Sequence, residues 1–270
     1  MEPQKFYDQF VGKLIRDFLL GNRRIEAAIT FALGYLMRTQ PGRILDLGCG
    51  IGWSTYEFSR GCPQSVVHGL DLSPQLIAVA RAMFSRPGRC DFFEGDLTAA
   101  DWRGDRPERY QACVMLDVYE HIPRKSRERF HESLRGVLDE EAMVILTCPT
   151  PLHQRYLRES RPERLQPVDE DVSLADLAHL AADISAEIAH YELKGIWLQN
   201  DYFHAVLQRK VALREKVKQV IPPVLLPRRK RWQYAETAAH LYDPAVLRQL
   251  RGQRASFLRR LKRALRWLHD

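Results

Sequence analysis

Paired cysteines, clustered metal ligands and long apolar runs are all missing from this chain of 270 residues. Its nine histidines are scattered, with no H-x3-H pair and no carboxylate pair at ligand spacing, so no metal site is expected. The five cysteines, at 49, 62, 90, 113 and 148, form no C-x-x-C pair, and three sit in or beside apolar runs. They read as reduced thiols of a cytoplasmic chain rather than as a disulfide frame. Nowhere do roughly 18 successive apolar residues occur, and the first ten residues carry early acids, so neither a membrane span nor a signal peptide is expected. A phosphate-binding lysine loop and a G-x-S-x-G nucleophile turn are also missing. A chain of this length can bury a substantial core as one medium domain with appendages, without metal or disulfide.

Before residue 211 positive charge is outnumbered by negative. From there on 15 Lys/Arg stand against 4 Asp/Glu, whereas residues 1–210 hold 26 against 30. The net charge of +7 belongs to the tail, so the overall basicity does not make the whole chain a nucleic-acid binder.

What is present is a glycine turn. Residues 43–54 read RILDLGCGIGWS: a short apolar run, then Gly48, Gly50 and Gly52 at alternate positions, then an amphipathic pattern. This predicts a buried strand turning sharply into a helix whose first N–H groups point at the bend. Glycine is needed where φ is positive or where a ligand approaches the backbone. A dinucleotide site would want a third glycine where Trp53 stands, and Asp46 would repel a diphosphate but suits a cationic ligand.

On these residues the segment 46–52 resembles motif I, D-x-G-x-G-x-G, of the class I S-adenosylmethionine-dependent methyltransferases, small-molecule type. The resemblance covers about residues 1–210 and implies an α/β fold: a Rossmann-like, doubly wound, seven-stranded, mostly parallel sheet. It implies S-adenosylmethionine as cofactor, held at Asp46, Gly48, Cys49, Gly50 and Gly52. Alternating apolar runs and helical patterns after the turn agree with a parallel sheet covered on both faces. Residues 66–71 form the second strand, and Ser73-Pro74 opens a helix, which puts Asp71 at a strand's C-terminal end where open sheets bind ligands. In the family such an acid accepts the ribose hydroxyls, with Leu72 beside it. A short third strand, 91–97, ends at Asp96 and Leu97; the resemblance carries Asp96 over as the adenine contact, while a turn-capping aspartate is the local alternative.

Residues 110–116 make the fourth strand and run into Asp117, Tyr119, His121 and Pro123. The D-x-x-E-H-I-P segment matches a form the family uses beside the transferred methyl group, which marks Asp117 as a cofactor contact and Tyr119 as an acceptor contact. His121 is the one histidine that position brings to the chemistry; with an ordinary pKa of about 6.5 it can take a proton, position the acceptor, or serve the structure alone. Strand five, 143–148, exits into an irregular, Pro-broken stretch to residue 171, where the resemblance makes His153, Arg155 and Tyr156 candidate acceptor contacts; a solvated basic loop is the other reading. Ser173 and Asp176 form a capping box for a further helix, and strand-like runs follow at 188–196 and 202–208, which the resemblance implies close the sheet antiparallel.

Apolar residues recurring at 6, 10, 14 and 18 predict one helix, and Asn22 caps a second. Residues 1–40 are expected to form a helical lid over a catalytic domain at 41–210, and Tyr7 resembles a lid tyrosine that takes part in catalysis; a core tyrosine is the other reading. Residues 211–270 are expected to be a basic helical extension. Its 245–268 stripe can self-associate, dock on its own domain, or lie on an anionic membrane surface, while a nucleic-acid partner is not favoured. The expected activity is transfer of a methyl group, as O-methylation, to a small-molecule or glycan acceptor. The alternatives are an RNA or protein methyltransferase using the tail, and an inactive cofactor-binding subunit.

Overall fold

The computed structural model describes residues 3–99, 102, 109–210, 225–234, 237, 248–249 and 251–252. Seven strands, β1 (Arg43–Leu47), β2 (Val66–Asp71), β3 (Cys90–Glu94), β4 (Tyr110–Leu116), β5 (Leu138–Pro149), β6 (Ala186–Lys194) and β7 (Tyr202–Arg209), form one sheet in the order β3-β2-β1-β4-β5-β7-β6. The first five pair parallel, and β7 runs against both its neighbours. The strand order turns back between β1 and β4, and that is where an open sheet leaves a crevice at its strands' C-terminal ends.

Both faces are covered, so the central strands read as unbroken apolar runs whose successive side chains alternate between two cores. Ile44, Ala112, Val114, Met143 and Ile145 pack with α2 (Val11–Leu20), α3 (Arg23–Thr39), α4 (Trp53–Gly61) and α5 (Pro74–Phe84). Leu45, Cys113, Met115, Val144 and Leu146 pack with α6 (Arg124–Val137) and α8 (Leu174–Asp183).

Several element boundaries differ from expectation. The first apolar stripe is carried by two helices, α1 (Pro3–Asp8) and α2, because an i,i+4 row survives a one-turn break at residues 9–10. Strand β3 stops at Glu94, and β5 begins at Leu138. The stretch expected to be irregular holds α7 (Pro151–Ser160), with Thr150 accepting from the His153 N–H and Pro151 in the first turn. Among the described residues no helix is long and apolar enough to cross a membrane. The 245–268 stripe lies outside them except for 248–249 and 251–252, which are helical.

A second short segment returns to the core. Leu226 is buried, its N–H donating to the Glu57 carboxylate at 3.0 Å. Arg231, at the end of α9 (Arg228–Arg231), is 2 % exposed. It pairs with Glu26 at 2.9 Å, donates to the Phe18 and Leu226 carbonyls, and lies 4.5 Å over the Trp53 ring.

Candidate cofactor and acceptor site

The turn leaving β1 is built on three residues in the left-handed region: Gly48, Gly50 and Gly52 at φ +68°, +56° and +82°. The Gly48 and Cys49 N–H groups donate to the Leu70 carbonyl at 2.7 and 3.0 Å, tying the turn to β2. The Gly50 N–H donates to Asp71 Oδ2 at 2.8 Å, and Asp71 Oδ1 accepts from the Ser73 N–H at 3.0 Å. Burial pushes the Asp71 carboxyl upward, and these N–H groups pull it back toward the ionised form.

Asp46 stands behind this turn. It is 1 % exposed and accepts from Ser54 Oγ and Thr55 Oγ1, each at 2.6 Å, so it fixes the first turn of α4 rather than facing a ligand. Burial pushes its pKa up to about 7. The sequence does not separate these cases, because strand-end position alone fails to say which carboxylate the next helix covers.

A cavity of about 610 Å3 opens above the turn. Gly48, Cys49, Gly50, Asp71, Leu72, Asp96, Leu97 and Asp117 line one side of it. Gly52 does not; a Cβ there would come within 2.6 Å of the Phe92 ring. Asp96 Oδ1 accepts from both the N–H and the hydroxyl of Thr98 at 2.8 Å, so it caps its own turn while bordering the cavity. Asp117, at φ +58°, accepts from Thr147 Oγ1 at 2.9 Å and pairs with Arg24 Nη1.

The opposite wall comes from the N-terminal helices and from the segment after α7. Tyr7, Phe10, Lys13, Leu14, Arg24 and Ile25 contribute from the helices, and His121, Gln166, Pro167 and Val168 from the other side. His121 Nδ1–H donates to the Val168 carbonyl at 2.7 Å, with Asp169 Oδ1 at 3.4 Å. Nε2 then keeps its lone pair, with Glu120 Oε1 3.9 Å away. Burial lowers the His121 pKa below its ordinary 6.5 despite Asp169 and the Val168 carbonyl, which act the other way. The buried Glu120 carboxyl is raised well above its usual range, by burial first and by Asp117 second, which disfavours its charged form. The Tyr7 ring lies 6.2 Å from that of His121, and burial holds its phenol protonated.

Four expected acceptor contacts are elsewhere. Tyr119 is buried on the far side, its hydroxyl 2.8 Å from His131 Nε2 and its ring under the Arg127 guanidinium. Residues Tyr119–His121 form one turn of 3-10 helix, in which successive side chains diverge by a third of a turn, so Tyr119 and His121 cannot share a face. His153, Arg155 and Tyr156 ride on α7 outside the cavity wall; His153 packs 5.6 Å from the Tyr202 ring, Arg155 is exposed and Tyr156 is 39 % exposed. The same stretch reaches the cavity through Gln166–Val168 instead. Lys13 and Arg24 were not anticipated, since on a helix each reads as an ordinary solvated cation.

The residues present fit a nucleoside carrying a positive charge. Gly50 leaves open the space a side chain would take next to Leu14, Asp71 offers two carboxylate oxygens beside the bend, and the acids line the turn's side of the cavity. A methyltransferase-domain family matches residues 44–141. The chain is 30 % identical to the trans-aconitate 2-methyltransferase of Rhodopseudomonas palustris over 220 residues, 76 % of this chain and 80 % of that one. It is 38 % identical to the malonyl-[acyl-carrier protein] O-methyltransferase of Halalkalibacterium halodurans over 87 residues, a match spanning only 32 % of either protein. Magnesium protoporphyrin IX methyltransferase of Synechocystis PCC 6803, solved with bound S-adenosylhomocysteine, shares the fold at TM-score 0.51 and 19 % identity, covering 67 % of this chain and 80 % of that chain. Fold, turn and relatives agree: this chain belongs to the class I S-adenosylmethionine-dependent methyltransferases, and S-adenosylmethionine is its cofactor.

Proposed function

We propose that the cavity methylates an oxygen of a small molecule, a sugar hydroxyl included, with the N-terminal helices acting as its lid. One observation carries this reading: His121 is anchored through Nδ1 to the Val168 carbonyl, leaving Nε2 in the cavity wall as a proton acceptor. The cofactor, when bound, supplies a methyl group already activated on a positively charged sulfur. Gly48, Cys49, Gly50, Asp71, Leu72, Asp96, Leu97 and Asp117 are the residues proposed to hold it. The chain's remaining task is to align the acceptor oxygen, which can be worth roughly 7–11 kcal/mol of barrier. A hydroxyl acceptor also gives up its proton, and Nε2 is placed to receive it. The relative named as a malonyl-[acyl-carrier protein] O-methyltransferase supports an oxygen acceptor, and the one named for trans-aconitate supports an acceptor of modest size.

The test pairs binding with turnover. His121→Ala should keep the heat of S-adenosylhomocysteine binding while slowing S-adenosylhomocysteine release from an acceptor library by roughly 100-fold or more. Unchanged turnover in that variant would remove His121 from the reaction. A second reading, a protein acceptor held by the basic tail, is supported by 29 % identity over 215 residues to the release factor glutamine methyltransferase of Bordetella pertussis, of which the match covers 65 %. Such an enzyme would lose turnover when the tail is cut.

A further inference from the structure

Two cations of the acceptor wall have no part in the reading so far. Lys13, at the cavity mouth on α2, makes no ion pair among the described residues; its ammonium rests 4.7 Å over the Phe10 ring. Arg24, in the first turn of α3, gives Nη1–H to Asp117, and its other guanidinium N–H groups meet no acceptor among the described residues. Partial burial and the neighbouring Arg24, Arg16 and Arg164 charges hold the Lys13 ammonium below its usual pKa, opposed by Asp17. Asp17 is itself engaged, accepting from Asn22 Nδ2 at 3.1 Å.

The cavity's charges are therefore sorted. Asp71, Asp96 and Asp117 stand on the side of the glycine turn, and on the side of the helices Lys13 and Arg24 outnumber the one acid there, Asp17, which Asn22 already engages. A cationic donor occupying the first half would face cations in the second, and unlike a neutral acceptor, an anionic one would balance them. Arg24 brings a planar fork that matches carboxylate or phosphate, and Lys13 brings a point charge.

We propose that the acceptor carries an anionic group, a carboxylate or a phosphate, seated between Lys13 and Arg24, and that this contact sets the orientation in which its nucleophilic oxygen meets His121. The proposal rests on the methyl-transfer reading of the same cavity and names its substrate class.

The test is calorimetric titration of the full chain, saturated with S-adenosylhomocysteine. The probes are glutarate and glycerol 3-phosphate, each set against its neutral counterpart, glutaramide and glycerol. At least one anion should bind about tenfold or more tightly than its counterpart, and the better of the two identifies the group. In Lys13→Met that preference should fall to near parity, while Lys13→Arg should keep it. Equal binding of both anions and their neutral counterparts, or a preference untouched by Lys13→Met, would overturn the proposal. A normal S-adenosylhomocysteine heat without anion preference overturns this inference alone, whereas absence of that heat overturns the methyl-transfer reading with it.

Discussion

Gly48, Gly50 and Gly52 share a backbone conformation, yet what surrounds each of them differs. A Cβ at Gly48 would come within 2.3 Å of Val118, and one at Gly52 within 2.6 Å of Phe92, so these two are kept small by the protein's own packing. At Gly50 the nearest atom is the Leu14 side chain at 3.3 Å, and the rest of the space belongs to the cavity. Gly50→Val should therefore act on the ligand: it fills the cradle and forces a β-branched residue to φ +56°. The expected result is loss of the S-adenosylhomocysteine signal by calorimetry, with an undiminished signal counting against the cradle. On the proposed reading, His121 sets the pH dependence. Burial disfavours its imidazolium, so the folded-state pKa lies below 6.5 and the imidazole is neutral at pH 7. Turnover should stay level through neutral pH and fall only on the acid side, as Nε2 takes a proton, and the limb should vanish in His121→Asn. An acid limb centred above pH 7 would contradict the assignment.

Caps were the most legible elements in the sequence, because a cap is a local hydrogen bond between near neighbours. Asn22 accepts from the Arg24 and Ile25 N–H groups, Ser73 from Leu76, and Ser173 and Asp176 close a reciprocal box. Thr150-Pro151 carries the same signature as Ser73-Pro74, but α7 buries only Gln154, so no apolar stripe marked it as a helix. The turn between β6 and β7 was opaque for another reason: its organiser acts through the backbone. Asp201, 2 % exposed, accepts from the Ile196, Trp197 and Leu198 N–H groups at 2.7, 2.9 and 3.0 Å. Its own carbonyl accepts from the Thr150 N–H, which joins this turn to the start of α7. Asp201→Ala would strand three donors, so urea unfolding should show a loss of about 2–4 kcal/mol. A loss under about 0.5 kcal/mol, the range of an ordinary surface substitution, would mean water replaces the carboxylate.

At the scale of the whole molecule, charge is legible as a segregated quantity but not as inside or outside. Residues 228–231 are four adjacent cations, and composition cannot say which of them turns inward. Arg231 does, and it joins Glu26 on α3, the Phe18 carbonyl on α2 and the Trp53 ring on α4 in one buried node next to the cofactor turn. Tyr234 adds a hydroxyl contact to Tyr56 at 2.8 Å. The tail therefore has two parts with different tests. Cutting after residue 210 removes Leu226 and Arg231 from the core and leaves the Glu57 and Glu26 carboxylates without these partners, so it should cost several kcal/mol and lower the Tm whatever the acceptor is. Arg231→Met alone should cost about 2–4 kcal/mol, since it removes a buried guanidinium that pairs with Glu26 and donates to the Phe18 and Leu226 carbonyls. Cutting after residue 234 spares that node while removing 8 of the tail's 15 Lys/Arg and the whole 245–268 stripe. On the small-molecule reading, the 234 truncation keeps its Tm and its turnover; on the protein-acceptor reading it keeps its Tm and loses turnover. A Tm loss on cutting after 234 as large as that on cutting after 210 would show that residues 225–234 are not the docked part of the tail.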